Sequence, residues 1–218
     1  ATGTLSPDGT EDTAYSVSAA TLLTGFTDAD DKALLVTDLT VTGGNASVTG
    51  DSKSGYTVTP AADFNGDVTL TYTVTDGHGG NITVTRTLTI DAVNDAPTGP
   101  ATGTLSPDGI EDNAYSVSAA TLLTGFTDAD DKSLSVTDLA VTGGNASVTG
   151  DSKSGYTVTP AVDFNGDVTL TYTVTDGHGG NITVSRTLTV NAINDAPTGP
   201  ATGTLSPDGT EDTAYSVS

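Results

Sequence analysis

An all-β chain of tandem immunoglobulin-like antiparallel sandwiches, about seven strands to each, is what this sequence predicts. Three observations predict it. Apolar residues alternate with threonines in short runs, as in TLTYTVTD (69–76) and NITVTRTLTI (81–90). Glycine-rich segments such as DGHGG (76–80) separate those runs. Residues 1–100 also recur, without a gap, as residues 101–200.

The recurrence sets the domain organisation. The two copies differ only at Thr10/Ile110, Thr13/Asn113, Ala33/Ser133, Leu35/Ser135, Thr40/Ala140, Ala62/Val162, Thr85/Ser185, Ile90/Val190, Asp91/Asn191 and Val93/Ile193, and residues 201–218 match 1–18 letter for letter. A unit of this length is too long for a solenoid repeat that needs its neighbours to fold. It is the size of one small independent domain. The expected units are therefore one sandwich over 1–97, a second over 98–197, and a partial third over 198–218 holding its first strand and the start of the next. Because the sequence starts and stops mid-pattern, it reads as a piece of something longer.

Within one unit, strands are expected near 1–6, 13–23, 34–42, 45–50, 55–60, 68–75 and 82–91. Period-two alternation rich in Thr, Val and Tyr gives a strand with one buried face. Leu70, Tyr72 and Val74 form that face in one run, and Ile82, Val84, Leu88 and Ile90 in the next, with Arg86 its single break. DGHGG reads as a hairpin turn, since glycine supplies positive φ angles; TGDSKSG (49–55) reads as another. SAATLLTG (18–25) fits either a single helical turn or the end of a strand. Seven such strands in this length suggest the immunoglobulin-like arrangement.

Charge narrows the function. Twenty-eight acids stand against 6 bases, a formal net charge of −22. Repulsion on that scale opposes compaction unless salt or cations relieve it. Nucleic acid is excluded as a partner, since its phosphates need bases, and so is polybasic contact with an anionic membrane. No run of about 18 apolar residues is present, so no membrane insertion is expected. Cysteine is absent, which removes disulfides and thiolate metal ligands.

The acids are placed where repeats meet. If seven strands alternate in direction, the first, third and fifth loops lie at the trailing end of a repeat, where its last strand exits. The second, fourth and sixth lie at the leading end. At the trailing end of the first repeat fall Asp8, Glu11 and Asp12, then Asp63, Asn65 and Asp67, beside Asp91, Asn94 and Asp95 of the joint. At the leading end of the second fall Asp128, Asp130 and Asp131, and Asp176. Only Lys132 is near to balance them. Such a cluster costs several kcal/mol in repulsion at intermediate dielectric. Oxygen ligands without histidine or cysteine select a hard cation, and Ca²⁺, which takes six to eight oxygens in irregular geometry, suits loops better than Mg²⁺. The joint itself, IDAVNDAPTGPATG (90–103), is stiffened by Pro97 and Pro100.

EDTAYSVSAATLLTGFTDAD, TPAADFNGDVTLTYTVTDGHGG and DAVNDAPT together resemble the cadherin-like tandem repeats that serve as extender modules in long bacterial RTX and biofilm-associated surface adhesins. The resemblance covers nearly all of each repeat. It implies that Glu11, Asn94, Asp95, Asp128, Asp130 and Asp176 hold Ca²⁺ at the complete joint. The fifth loop adds Asp63 and Asp67, in a pattern different from the acidic tripeptide-like motif of cadherins. At the second joint the resemblance carries over to Glu111, Asn194 and Asp195. That site lacks a following Asp-x-Asp and is expected to be incomplete and weaker.

The expected function is therefore mechanical: a calcium-rigidified, non-enzymatic, monomeric spacer on a bacterial cell surface, whose partners are its neighbouring repeats and which carries a distal binding region. The alternative is that the repeat itself binds a carbohydrate or ice through its threonine faces. A hydrolase is poorly supported, because no nucleophile, base and orienting group occur together.

Overall fold

The computed structural model describes residues 2–30, 33–130, 133–203, 209–214 and 216. The first repeat contains β1 (Thr2–Thr4), β2 (Gly9–Thr10), β3 (Tyr15–Val17), α1 (Ala19–Leu22), β4 (Leu35–Gly43), β5 (Ala46–Asp51), β6 (Gly55–Pro60), β7 (Gly66–Thr75) and β8 (Asn81–Asp91). The second contains β9 (Thr102–Thr104), β10 (Gly109–Ile110), β11 (Tyr115–Val117), α2 (Ala119–Leu122), β12 (Ser135–Gly143), β13 (Ala146–Asp151), β14 (Gly155–Pro160), β15 (Gly166–Thr175) and β16 (Asn181–Asn191). No strand is assigned after Asn191 among the described residues.

Each repeat is a two-sheet sandwich. In the first, β1 and β2 pair in parallel with β8, which continues through β7 to β4, while β3, β6 and β5 form the second sheet. All other pairings are antiparallel. These pairings agree with the expected alternation of direction in chain order, under which the first and last strands run the same way, and so with the assignment of loops to ends.

The core follows the period-two pattern. Val68, Leu70, Tyr72 and Val74 of β7 and Val84, Leu88 and Ile90 of β8 pack against Val58 of β6, Val17 of β3 and Leu22 of α1. Alternate threonines of the same strands face outward, as pleating requires. The DGHGG turn closes with Gly77 and Gly79 at φ +78° and +113°, values that side-chain-bearing residues rarely adopt.

Two elements differ from the sequence reading. The single first strand is two short ones, β1 and β2, because Pro7 lies between them and has no N–H to give to a ladder. The long second strand is only β3 followed by α1. Ser18 caps that helix by accepting a hydrogen bond from Thr21 N at 3.0 Å, the usual role of serine at an N-cap.

Arg86, the break in the apolar face of β8, is accommodated by aromatic neighbours. Its guanidinium lies 5.8 Å from the Phe26 ring centre, and its Nε donates to Tyr72 Oη at 3.3 Å. In the second repeat Arg186 is buried between Phe126 and Tyr172 and donates to the carbonyls of Pro100 and Ser185. Tyr72 Oη in turn donates to Leu22 O at 2.7 Å inside the core. Tyr72→Phe would strand that carbonyl, and urea unfolding is expected to register a loss of about 1–3 kcal/mol.

Candidate metal centre

The trailing end of the first repeat, the joint and the leading end of the second repeat meet. Glu11 follows β2, where its N–H donates to Asp91 O at 3.0 Å. Its side chain is only 1% exposed. Oε1 accepts from Val93 N and Oε2 from Asn65 Nδ2, so this one carboxylate ties the joint to the loop before β7. Asp12 takes φ +57° and Asp63 φ +55°, the left-handed conformation that aspartate tolerates better than most residues. Asp12 Oδ1 accepts from Asp63 N at 3.2 Å.

The second repeat contributes from two loops. Asp128 Oδ1 accepts from Asp130 N at 3.0 Å, a short turn that presents Asp130 outward. Asp130 Oδ2 accepts from Asp95 N at 2.8 Å, across the joint. Asp176 heads the DGHGG turn, accepting from the backbone N–H groups of His178, Gly179 and Gly180. Its Oδ2 also accepts from Asn94 Nδ2 at 2.8 Å. Turn formation and contact with the joint are thus combined in one carboxylate.

Two carboxylate triplets result, Glu11–Asp95–Asp130 and Asp12–Asp63–Asp95, each with oxygens within 4.8 Å of one another. That span is about twice a calcium–oxygen bond of about 2.4 Å. Asp95 belongs to both. Its Oδ2 is buried and has no hydrogen-bond partner among the described residues, the condition in which a carboxylate oxygen calls for a cation. An all-oxygen set around an orphaned, buried oxygen fits Ca²⁺.

The predicted residues divide accordingly. Glu11, Asp63, Asp95 and Asp130 fall in the triplets, with Asn94, Asp128 and Asp176 hydrogen-bonded beside them. Asp67 does not. It stands on β7 and accepts from Thr89 Oγ1 at 3.0 Å, on the outer face of the sheet. Asp91 serves through its backbone in the β2–β8 pairing. Asp131 and Lys132 lie outside the described residues. Asp12 is the residue that the family motif passes over. Its signal was its place next to Glu11 in a loop already assigned to the trailing end.

At the second joint Glu111 repeats Glu11, accepting from Ile193 N and Asn165 Nδ2, and Asp112, Asp163 and Asp195 form a triplet. Asn194 donates to Asp195 O at 3.1 Å.

Burial, and then the neighbouring Asp63, Asp12, Asp130 and Glu11, hold Asp95 above the usual carboxylate range; burial, Asp163, Asp112 and Glu111 do the same to Asp195. Asp51 and Asp151 are held below it, chiefly by backbone donors of their own turns. An acid raised in the folded state binds its proton more tightly there than in the unfolded chain, so stability falls as pH rises through that window. In the calcium-stripped chain the stability contributed by Asp95 and Asp195 is therefore expected to be present at and below the ordinary carboxylate value and to be lost as pH rises above it. Below the ordinary range the lowered aspartates are protonated in turn, and stability falls. Thermal melts across that range check both limbs; a continuous decline from neutral pH downward would contradict the first.

The family model described as Cadherin-like domain matches residues 1–91 and 93–191. No curated protein matches the chain. Among solved structures, human mucin-like protocadherin EC1-2 is 18% identical, with 72% of this chain and 84% of that one covered and a TM-score of 0.40. Mouse cadherin-23 EC22-24 is 18% identical over 73% and 53%, with a TM-score of 0.42. An endo-fucoidan hydrolase of glycoside hydrolase family 107 is 18% identical over 89% of this chain and 28% of its own, with a TM-score of 0.34. The chain thus spans little more than a quarter of that hydrolase. At these scores none of the three carries an argument.

Proposed function

The chain belongs to the cadherin-like domain family, and from that premise we propose that it is a calcium-stiffened spacer of a long bacterial surface adhesin of the RTX or biofilm-associated kind. Cadherin-like domains are extracellular, adhesion-type repeats and generally non-catalytic. The observation that carries the reading is Asp95, whose carboxylate is shared by two triplets drawn from the first repeat, the joint and the second repeat.

Glu11, Asp12, Asp63, Asp95 and Asp130 would hold the ion or ions. When bound, Ca²⁺ supplies positive charge that offsets the mutual repulsion of these carboxylates. The chain's own residues do the positioning. Glu11 fixes the start of the joint through Val93 N, Asp130 fixes Asp95 through its N–H, and Asp176 fixes Asn94. A cation that ties these groups together makes bending at the joint cost ligands. Its binding free energy also adds to folding stability by mass action. Extracellular modules of this kind bind Ca²⁺ at about 10⁻⁴–10⁻³ M, filled outside a cell and emptied inside. A strand layer of roughly nine residues spans about 30 Å, so repeats in series give reach, and near-identity of neighbours suits a part whose only requirement is number.

Small-angle X-ray scattering in chelator and in about 5 mM Ca²⁺, above the usual affinity range, tests the proposal. A longer maximum dimension with a rod-like profile is expected only in calcium. Identical profiles would overturn it.

One observation favours a second reading. On the outer face of β7 and β8, Thr69, Thr71 and Thr73 stand directly opposite Thr87, Thr85 and Thr83, a regular hydroxyl array of the kind a carbohydrate or ice surface could meet. Binding of the chain to a glycan array or to ice, lost on replacing Thr71 and Thr85, would move the function there.

A further inference from the structure

A groove runs along the side of the second repeat, between β9 and the end of α2. Pro100, Thr104, Ser106, Thr121, Thr124 and Arg186 line it, and its volume is about 350 Å³, within the range of small-molecule sites. All of these residues lie within one repeat, and none belongs to the carboxylate triplets of either joint.

Arg186 is 6% exposed, an uncommon place for a charge without a carboxylate beside it. Its hydrogen-bond partners among the described residues are two carbonyls, and both take the same nitrogen. Nη1 donates to Pro100 O at 3.2 Å and to Ser185 O at 3.0 Å. Nε and Nη2 have no hydrogen-bond partner among the described residues, yet neither is sealed from solvent. Those two N–H groups form one edge of the guanidinium, an edge that grips a carboxylate through two parallel bonds. Gly103 leaves room for the arginine. A Cβ there would come within 3.3 Å of Nε, and no positive φ at Gly103 calls for glycine. Thr104, Ser106, Thr121 and Thr124 are exposed along the rest of the groove, and each hydroxyl can both donate and accept.

We propose that this groove binds an acidic sugar, a uronate, with the carboxylate on the Nε–Nη2 edge of Arg186 and the ring hydroxyls on the threonine and serine side chains. A buried guanidinium with no acid beside it is costly, and a ligand carboxylate supplies the missing partner. Walls lined with hydroxyls suit a ligand that carries hydroxyls of its own better than they suit an apolar acid. The site is separate from the threonine face of β7 and β8, and it does not rest on the calcium reading. In the first repeat Arg86 engages the same edge with the chain itself, Nε with Tyr72 Oη at 3.3 Å and Nη2 with Thr24 O at 3.4 Å. The site is therefore assigned to the second repeat.

Nuclear magnetic resonance on the isotope-labelled 218-residue chain tests this, with sodium glucuronate as the probe and the Arg186 Nε–H signal as the readout. Glucose is the control for the sugar without the charge, and acetate for the charge without the sugar. The net charge of −22 repels anions at long range, so the titrations are run at about 0.15 M salt, where that field is cut off beyond about 8 Å. Glucuronate is expected to shift the Arg186 signal and the Gly103 and Thr104 amides with a Kd on the order of 1 mM, an ordinary efficiency for a ligand of this size. Glucose should shift none of them, and acetate should bind about tenfold more weakly, for want of the hydroxyl contacts. Thr124→Glu places a competing carboxylate on the exposed wall of the groove and should weaken glucuronate binding about tenfold or more; unmoved signals elsewhere in that variant are the folding control. No shift of Arg186 Nε–H with glucuronate overturns the proposal, and so does a shift that Thr124→Glu leaves intact. Equal affinity for acetate overturns the sugar part of it and makes the groove a site for bare carboxylates.

Discussion

Asp95→Ala is expected to weaken calcium binding at the joint by about a hundredfold or more, since affinity at such sites is set by the number of charged ligands. Both repeats should remain folded. Asp95 lies in the joint, outside both cores, and its carboxylate is the one common to Glu11–Asp95–Asp130 and Asp12–Asp63–Asp95. No other described residue enters both sets. The variant also separates metal binding from structure by sign. Without calcium, Asp95 sits against four other carboxylates that raise its proton affinity, so its removal relieves repulsion, and the calcium-free chain should be as stable as before or more so. With calcium, the same removal should lower the melting temperature and restore the shape found in chelator. A residue holding the joint by hydrogen bonds alone would reduce stability in both conditions. Asp67→Ala is the matched control. It loses one cross-strand bond to Thr89 and should leave calcium affinity unchanged. Calorimetric titration of the three proteins decides the matter.

The contrast between Asp95 and Asp67 also marks what the sequence could reveal. The fold was legible because threonine and valine alternate for up to ten residues, and pleating turns that alternation directly into one buried and one outward face. Strand parity then located the joint, since it needs only strand order and direction. The same period-two rule already placed Asp67 on the outer face, one residue from buried Val68. Only the resemblance to a family motif, which expects an acid near that loop, makes it a ligand candidate. Asp12 escapes the motif for the converse reason. Its neighbour Glu11 fits the motif, and nothing in residue order reveals that a left-handed backbone at Asp12 brings its carboxylate to Asp63 and Asp95. Backbone conformation inside loops is set by tertiary contacts, which composition and periodicity do not report. The turn at Ala19–Leu22 was undecidable for a related reason: a serine cap and four residues satisfy a helical turn and a strand end about equally until the Tyr72 hydroxyl finds Leu22 O.

Leu88→Ala is expected to cost about 3 kcal/mol, or roughly 10–20 °C in the midpoint of a repeat of this size. Leu88 is fully buried on β8, opposite Val68 and within the cluster that includes Leu22 and Leu70. Its loss leaves a cavity that a two-sheet core fills poorly. Leu188 holds the same place in the second repeat and is equally buried, so without calcium the two variants should lose the same amount, each in its own repeat. Calorimetry of either variant in chelator should then resolve two transitions where the parent shows one. Calcium should break this symmetry. Unfolding the first repeat dismantles Glu11, Asp12 and Asp63 together, the larger part of both triplets, whereas unfolding the second removes Asp130 and the separate Asp112–Asp163–Asp195 set. Anything that binds only the folded state stabilises in proportion to what unfolding destroys. Calcium should therefore raise the early transition of Leu88→Ala further than that of Leu188→Ala, and draw it toward the transition of the intact repeat. Equal shifts in the two variants would mean that the ion is not shared across the joint. The carboxylates gathered there would then be a trailing-end feature of single repeats, and stiffness would fall to Pro97, Pro100 and the Thr98–Thr127 bridge alone.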